Sequence, residues 1–214
     1  MSYIEKNYLT YKTNEYATHQ PFLWHMLHKT SKPILELGSG YGSTPLLHAY
    51  SAKHGIPLYT LDHDADWLSR FSSLKSELHK HICVDVAKGW DAFQEAIPKG
   101  VEWGVVFVDH GSWQSRVDCA RALKDKADYI LVHDFDNLVA NYGFGTMDQE
   151  TGDFHMSSEF PYWRTCLPST ELWPLDSGPP TLVASMVHSD LTVPEEQELE
   201  KEFIHYIEYF TEPE

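Results

Sequence analysis

Residues 34–42 read Ile34-Leu35-Glu36-Leu37-Gly38-Ser39-Gly40-Tyr41-Gly42, and Asp62 closes the next apolar run twenty residues later. A short apolar segment, a glycine-rich turn, a helix, a second strand and a terminal acid form the grammar of a nucleotide-type binding half. Without a Cβ the backbone can turn sharply and come close to a ligand. The helix that follows begins with unpaired N–H groups, which suit a polar ligand. Asp62 then sits at the carboxyl edge of the second strand, where a carboxylate can accept both hydroxyls of a ribose.

Two details separate this turn from the dinucleotide fingerprint. Glu36 stands inside an otherwise apolar strand, where a carboxylate is costly unless a cation or hydrogen-bond donors meet it. The spacing also departs: Ser43 stands three places after Gly40, where the fingerprint wants a small residue, and a third glycine comes early, at Gly42. An ordinary tight strand–helix turn would account for the glycines alone; the acids on either side favour a cofactor.

Working outward, the same rhythm repeats. A helix over 15–29 is expected ahead of the fold proper, with Tyr16, Phe22, Leu23, Met26 and Leu27 on one face and Pro21 in its first turn. Strands are expected at 33–37, 58–61, 81–84, 105–108 and 129–132. Helices are expected from Ser43-Thr44-Pro45 to Gly55, through Trp67, Phe71, Leu74 and Leu78, from Trp90 to Ile97 and from Ser115 to Leu123. Strands alternating with helices imply a parallel sheet covered on both faces. Residues 138–160 break the rhythm and read as a loop over the site. Glu171–Leu175 and Thr181–Val187 read as closing strands, and 194–214 as an amphipathic helix with Leu199, Phe203, Ile207 and Phe210 on one side. The expected fold is a single α/β domain: a helical extension over 1–32, a Rossmann-like core over 33–190 and a C-terminal helix over 191–214. Its seven-stranded sheet is mostly parallel, with helices on both faces and an antiparallel last strand.

Four successive strands end in an acid: Asp62, Asp85, Asp109 and, after His133, Asp134. In an open parallel sheet ligands bind beyond the carboxyl ends of the strands. One such acid reads as a cap or turn residue; four along one rim point to a site.

Composition narrows the function classes. A chain of 214 residues with 42% apolar and 14% aromatic content can bury one large core. A formal net charge of −16 disfavours nucleic acid and anionic membrane surfaces, which demand Lys and Arg. Cys83, Cys119 and Cys166 are odd in number and widely spaced, so neither a disulfide framework nor a zinc knuckle is expected. With no apolar signal region at Met1–Lys6 and no run of about 18 apolar residues, the expectation is a soluble cytoplasmic protein.

Glu36-x-Gly38-x-Gly40-x-Gly42 resembles the first motif of class I S-adenosylmethionine-dependent methyltransferases. Asp109-His110 followed by Arg116 and Asp118, then His133-Asp134, is similar to the pattern of the class I "methyltransferase 24" group. A looser similarity runs to catechol-type O-methyltransferases, although Phe135 stands where that pattern has asparagine, and Asp136-Asn137 follows two residues late. The resemblance covers roughly residues 33–137. It implies S-adenosylmethionine as cofactor, with Glu36 and Gly38 near the methionine end, Asp62 on the ribose and Asp85 near the adenine. Ser39, Gly40, Gly42, His63 and Asp109 complete the expected cofactor set, with Asp64 a rival for the ribose. It further implies O-methylation of a small hydroxylated acceptor. Two routes fit the rim residues. In one, Asp109, Asp134 and Asn137 hold Mg²⁺, which acidifies the acceptor hydroxyl. In the other, His110 or His133 is the general base, with Asp109 among the catalytic groups. Trp113, Tyr142, Phe144, Tyr162 and Trp163 could line the acceptor pocket. The alternatives are a Rossmann-type oxidoreductase, for which no hydride-transfer site is visible, and a member of the fold that binds cofactor without catalysis.

Overall fold

The structure is a computed structural model that describes residues 17–148, 150–151, 154–166, 180–189 and 191. Its first helix, α1 (Gln20–Leu27), carries Pro21 in the first turn as the sequence requires. Strand β1 (Ile34–Leu37) lies at the centre of the sheet and is buried along its whole length. Helix α2 (Thr44–His54) follows the glycine turn. It ends at Gly55, whose φ of 68° lets its N–H bond back to Ser51.

Strands β2 (Leu58–Asp62), β3 (His79–Cys83), β4 (Trp103–Val108) and β5 (Ala127–His133) all run parallel to β1. Helices α3 (Ala65–Ser69), α4 (Ala92–Ala96) and α5 (Trp113–Leu123) make the crossovers. Past β5 come α6 (Phe135–Tyr142), a small hairpin of β6 (Gly145–Met147) and β7 (Phe154–Met156), then β8 (Tyr162–Cys166) and β9 (Thr181–Ser185). The main sheet has the order β3-β2-β1-β4-β5-β9-β8. Strand β9 runs antiparallel to both β5 and β8, so it alone opposes the others. This is the Rossmann-like, mostly parallel, seven-stranded sheet expected from the chain's rhythm.

Because strand side chains alternate faces, each strand feeds two cores. On one face Ile34, Val105, Phe107, Leu131 and Val183 pack under Leu23, Met26 and Leu27 of α1 and Leu46, Leu47 and Tyr50 of α2. On the other, Leu35, Leu37, Val106, Val108, Ile130 and Val132 pack under Phe93 of α4, Val117, Ala120 and Leu123 of α5, and Leu138 of α6. Burial on both faces is why these strands read as continuous apolar runs. Among the described residues no helix is long and apolar enough to cross a membrane.

Four expectations need correction or fall outside view. The helix expected through Trp67, Phe71, Leu74 and Leu78 stops at Ser69, followed by a single 3₁₀ turn at Ser72–Leu74. Serines in this stretch bond to the backbone instead: Ser69 Oγ donates to Asp66 O and Ser76 Oγ accepts from His79 N. The carbonyl of Leu78 accepts from Leu58 N, so Leu78 already belongs to the sheet. The loop expected over 138–160 contains the end of α6 and the β6–β7 hairpin. The strand before β9 is Tyr162–Cys166; Glu171–Leu175, like the helix expected over 194–214, lies outside the described residues.

Candidate functional site at the carboxyl rim

The β1–α2 turn is fixed by close approach. Gly38 has φ 95°, and a Cβ there would stand 2.5 Å from Asp109 O and 2.6 Å from His110 N. Its N–H donates to Leu61 O, while Asp109 N donates to Leu37 O. Only glycine lets the exits of β1, β2 and β4 meet this closely.

The turn is knotted to Asp62. Oδ2 of Asp62 accepts from both Ser39 N and Ser39 Oγ at 2.7 Å, and Oδ1 accepts from Asp64 N at 3.0 Å. Trp67 Nε1 closes the knot by donating to Ser39 O at 2.7 Å. Asp62 is buried; both lone-pair sites of Oδ2 are taken by Ser39, and Oδ1 keeps one beyond its bond from Asp64 N. Asp64, the rival for that role, is the α3 cap and accepts from Trp67 N.

Glu36 lies beneath the turn, fully buried. Its carboxyl accepts from Ser43 Oγ at 2.6 Å, Thr44 Oγ1 at 2.9 Å and Thr60 Oγ1 at 2.6 Å. Burial pushes its pKa up to about 8, against the pull of those three hydroxyls. Its partners are thus the protein's own hydroxyls, which brace β1 against α2 and β2. Gly40 belongs to the same array, its N–H donating to Thr44 Oγ1. Gly42 O accepts from Gln20 Nε2 at 2.7 Å, which brings the start of α1 to the turn.

On the other side of the turn, Asp85 is exposed and accepts from Ala87 N. The His63 ring lies 4.8 Å from that of Trp90, and Trp90 presses against Gly111. His63, Trp90 and Gly111 therefore form one surface beside Asp62.

The ends of β4 and β5 hold a charged cluster. Arg116 reaches up from α5; its Nη1 stands 3.1 Å from Asp109 Oδ1, 3.2 Å from Asp134 Oδ2 and 3.0 Å from His133 O, and its Nε donates to His110 O at 2.6 Å. The guanidinium lies 4.5 Å over the Trp113 ring. His133 Nδ1 is 3.5 Å from each carboxylate. Burial alone would lower the His133 pKa, yet Asp109 and then Asp134 outweigh it and raise it to about 9. Burial would raise Asp109; His133 and Arg116 bring it down to about 2. Asp134 is likewise held below the usual carboxylate range, the His133 imidazole outweighing its burial. Asp134 also has φ 54°, the one non-glycine residue at positive φ among those described. Such strain collects at functional sites, and aspartate tolerates it better than most residues. Asn137 lies in α6, three residues beyond Asp134.

His110, expected as a candidate base, does not join this cluster. Asp109 shares its sheet face with Phe107, so His110 turns to the opposite face. There its ring stacks on Phe93 at 4.3 Å and its Nε2 meets Ser115 Oγ at 2.9 Å. Burial, with Arg116 adding, lowers its pKa to about 3. Of the expected pocket aromatics, Phe144 is fully buried against Phe160 and belongs to the core.

One rim residue went unnoticed in the sequence. His19, just ahead of α1, sets its ring 4.6 Å from Phe107 and 4.7 Å from His133, edge-on. Burial, with the His133 charge adding, lowers its pKa to about 3. Both His19 ring nitrogens and His133 Nε2 are buried with no hydrogen-bond partner among the described residues. No signal in the sequence marks His19, because only the packing of α1 across β4 carries it to the rim.

No family model matches the sequence, and no curated protein matches it at a significant level. Solved structures share the fold. Human methyltransferase-like protein 13, solved with S-adenosylhomocysteine, is 13% identical and superposes with a TM-score of 0.54, covering 100% of this chain and 95% of that one. A Staphylococcus aureus protein described as a candidate caffeoyl-CoA O-methyltransferase is 14% identical, with a TM-score of 0.50 and coverage of 86% and 93%. A predicted O-methyltransferase from Agrobacterium tumefaciens is 13% identical, with a TM-score of 0.50 and coverage of 86% and 96%. At these identities the likeness is one of fold: the chain has the Rossmann-like architecture of these methyltransferase structures.

Proposed function

We propose that the protein is an S-adenosylmethionine-dependent methyltransferase that methylates a hydroxyl of a small acceptor. The observation that carries this reading is the Gly38–Ser39 turn, laid over the exit of β4 and tied through Ser39 to Asp62. On this reading the Asp62 carboxylate, held fixed by Ser39, accepts a hydroxyl of the adenosyl ribose through its remaining Oδ1 site. The S-adenosylhomocysteine held by the human structure of the same fold supports it. His63, Trp90 and exposed Asp85 would take the adenine side, with the turn from Gly38 to Gly42 along the methionine end. A net charge of −16 favours a small acceptor over a polynucleotide.

Methyl transfer is an in-line displacement. A lone pair of the acceptor oxygen forms the new O–C bond as the C–S bond breaks. The bonding pair stays on sulfur, which loses its positive charge, and the acceptor proton must leave. Holding the two reactants in line supplies several kcal/mol of the acceleration. His133 is the residue assigned to the proton. Asp109 and Asp134 hold its Nδ1 side, and Nε2, buried without a partner among the described residues, is the nitrogen left to take the proton. A pKa near 9 keeps most of it protonated at neutral pH, so the minor neutral form accepts the proton. Mg²⁺ does not fit the cluster, because Arg116 already lies against both carboxylates.

Isothermal titration with S-adenosylhomocysteine and with NAD tests the reading. Saturable binding of the first and none of the second is expected, and Asp62→Ala should weaken it at least about tenfold, the loss of one charge-assisted hydrogen bond. Absence of heat with S-adenosylhomocysteine, or tighter binding of NAD, overturns it.

A further inference from the structure

We infer that Arg116 is a built-in cation for this rim, seated between Asp109 and Asp134 where a divalent ion would otherwise sit. Nη1 is 3.1 Å and 3.2 Å from the two carboxylate oxygens. An ion bonded to both oxygens at the roughly 2.1 Å that Mg²⁺ demands would lie within about 5 Å of Nη1, at most the sum of the two distances. It would meet a guanidinium whose side chain is only 8% exposed, between carboxylates that are 27% and 23% exposed.

Charge balance points the same way. Arg116 already places one fixed positive charge between the Asp109 and Asp134 carboxylates, and a divalent ion would put two more beside it. The third group near the carboxylates is a ring nitrogen, whereas Mg²⁺ selects hard oxygens. One carboxylate oxygen each of Asp109 and Asp134 and one ring nitrogen of His133 do lie within 4.8 Å of one another, so the ligand geometry exists and what fills its centre decides the matter.

Nor is Arg116 a side chain that can swing aside. Nε is tied to His110 O and Nη1 to His133 O, so the guanidinium bridges the backbone ends of β4 and β5. Trp113 covers its face. Arg116 is therefore a positioning residue: it fixes the two carboxylates and, through them, His133. The consequence for chemistry rests on the methyl-transfer reading: the acceptor is activated without a Lewis acid, by proton transfer alone. The placement itself does not depend on that reading.

Mn²⁺ binding, followed by electron paramagnetic resonance on the full chain without S-adenosyl ligand, tests it. The wild type should show no Mn²⁺ site that Asp109→Asn removes. Arg116→Gln should acquire one, at least about tenfold tighter than any wild-type binding, and Arg116→Gln with Asp109→Asn should lose it. Arg116→Lys, which keeps the charge, should stay without one. A saturable wild-type site abolished by Asp109→Asn overturns the inference, and so does a folded Arg116→Gln that takes up no Mn²⁺. Should Arg116→Gln fail to fold by circular dichroism, the wild type and Asp109→Asn still decide it. Because no cofactor is present, this outcome is separate from the titration that tests the methyltransferase reading.

Discussion

Glu36→Gln should flatten the pH dependence of stability between about pH 5.5 and 8.5. Glu36 is fully buried among three hydroxyls, with its pKa raised from 4.5 to about 8. A group whose folded pKa is raised contributes stability that is present below the unfolded value and is lost as pH rises through the folded one. The window is therefore about pH 4.5 to 8. Between pH of about 5.5 and 8.5 the linkage integral for these two values comes to roughly 2.3 pH units, or about 3 kcal/mol. Glutamine stays neutral, and the hydroxyls of Ser43, Thr44 and Thr60 can rotate to meet its amide. Other titrating groups contribute to both proteins and cancel when the two are subtracted. Urea unfolding of wild type and variant at the two pH values measures the double difference. The wild type should lose about 3 kcal/mol more than the variant on going from the acidic to the basic buffer. A double difference below about 1 kcal/mol refutes the reasoning: the hydroxyls would then hold Glu36 ionised throughout, and burial would not dominate its titration. The result also bears on ligand binding. If Glu36 is neutral near pH 7, no full negative charge lies beneath the turn to meet the ammonium of a bound methionine moiety.

Gly38→Ala forces an L residue to φ 95° and sets a methyl 2.5 Å from Asp109 O, so unfolding free energy should fall by about 2–4 kcal/mol in urea titrations. Phe93→Ala empties a fully buried site that stacks on His110, and a loss of about 3–5 kcal/mol is expected by the same assay. His133 should titrate near pH 9 in ¹⁵N-detected NMR, and the midpoint should fall in Asp109→Asn as its largest favourable partner is neutralised; a wild-type midpoint between about 6 and 7 would contradict the ion-paired cluster.

The fold was legible up to Asp134 because both faces of the central strands are covered. That makes Ile34–Leu37, Val105–Val108 and Tyr129–Val132 read as unbroken apolar runs, punctuated by glycine and aspartate. Past that point the signals weaken for identifiable reasons. Helix α6 starts directly after β5 through one residue in the left-handed conformation, with no side-chain cap or proline to mark it. Strands β6 and β7 have three residues each, too few to display alternation. The helix expected after β2 failed in the opposite way: Trp67, Phe71 and Leu74 keep helical spacing across a break made by the serines between them.

The candidate site was legible as a set of residues and illegible as a set of partners. Asp62, Asp85, Asp109 and Asp134 look alike in the sequence, each an acid at a strand end. Asp62 differs because the turn after β1 folds back and lends it two donors from Ser39; Asp85 accepts a local bond from Ala87 N. The two histidines show how much strand parity could have supplied. Asp109 follows Phe107 by two, so it shares that face, and His110 must turn away. His133 follows Leu131 by two, and Leu131 is the register partner of Phe107 across the β4–β5 ladder. Asp109 and His133 are therefore neighbours on one face, whereas His110 enters the core behind α5. That difference of one position sends the two imidazoles in opposite directions, one to about 3 and the other to about 9. Arg116 was visible in the motif, but its reach was not: placing a guanidinium between two strand ends needs the helix pitch, the crossover length and the tilt of α5 together, and none of these is written in residue spacing.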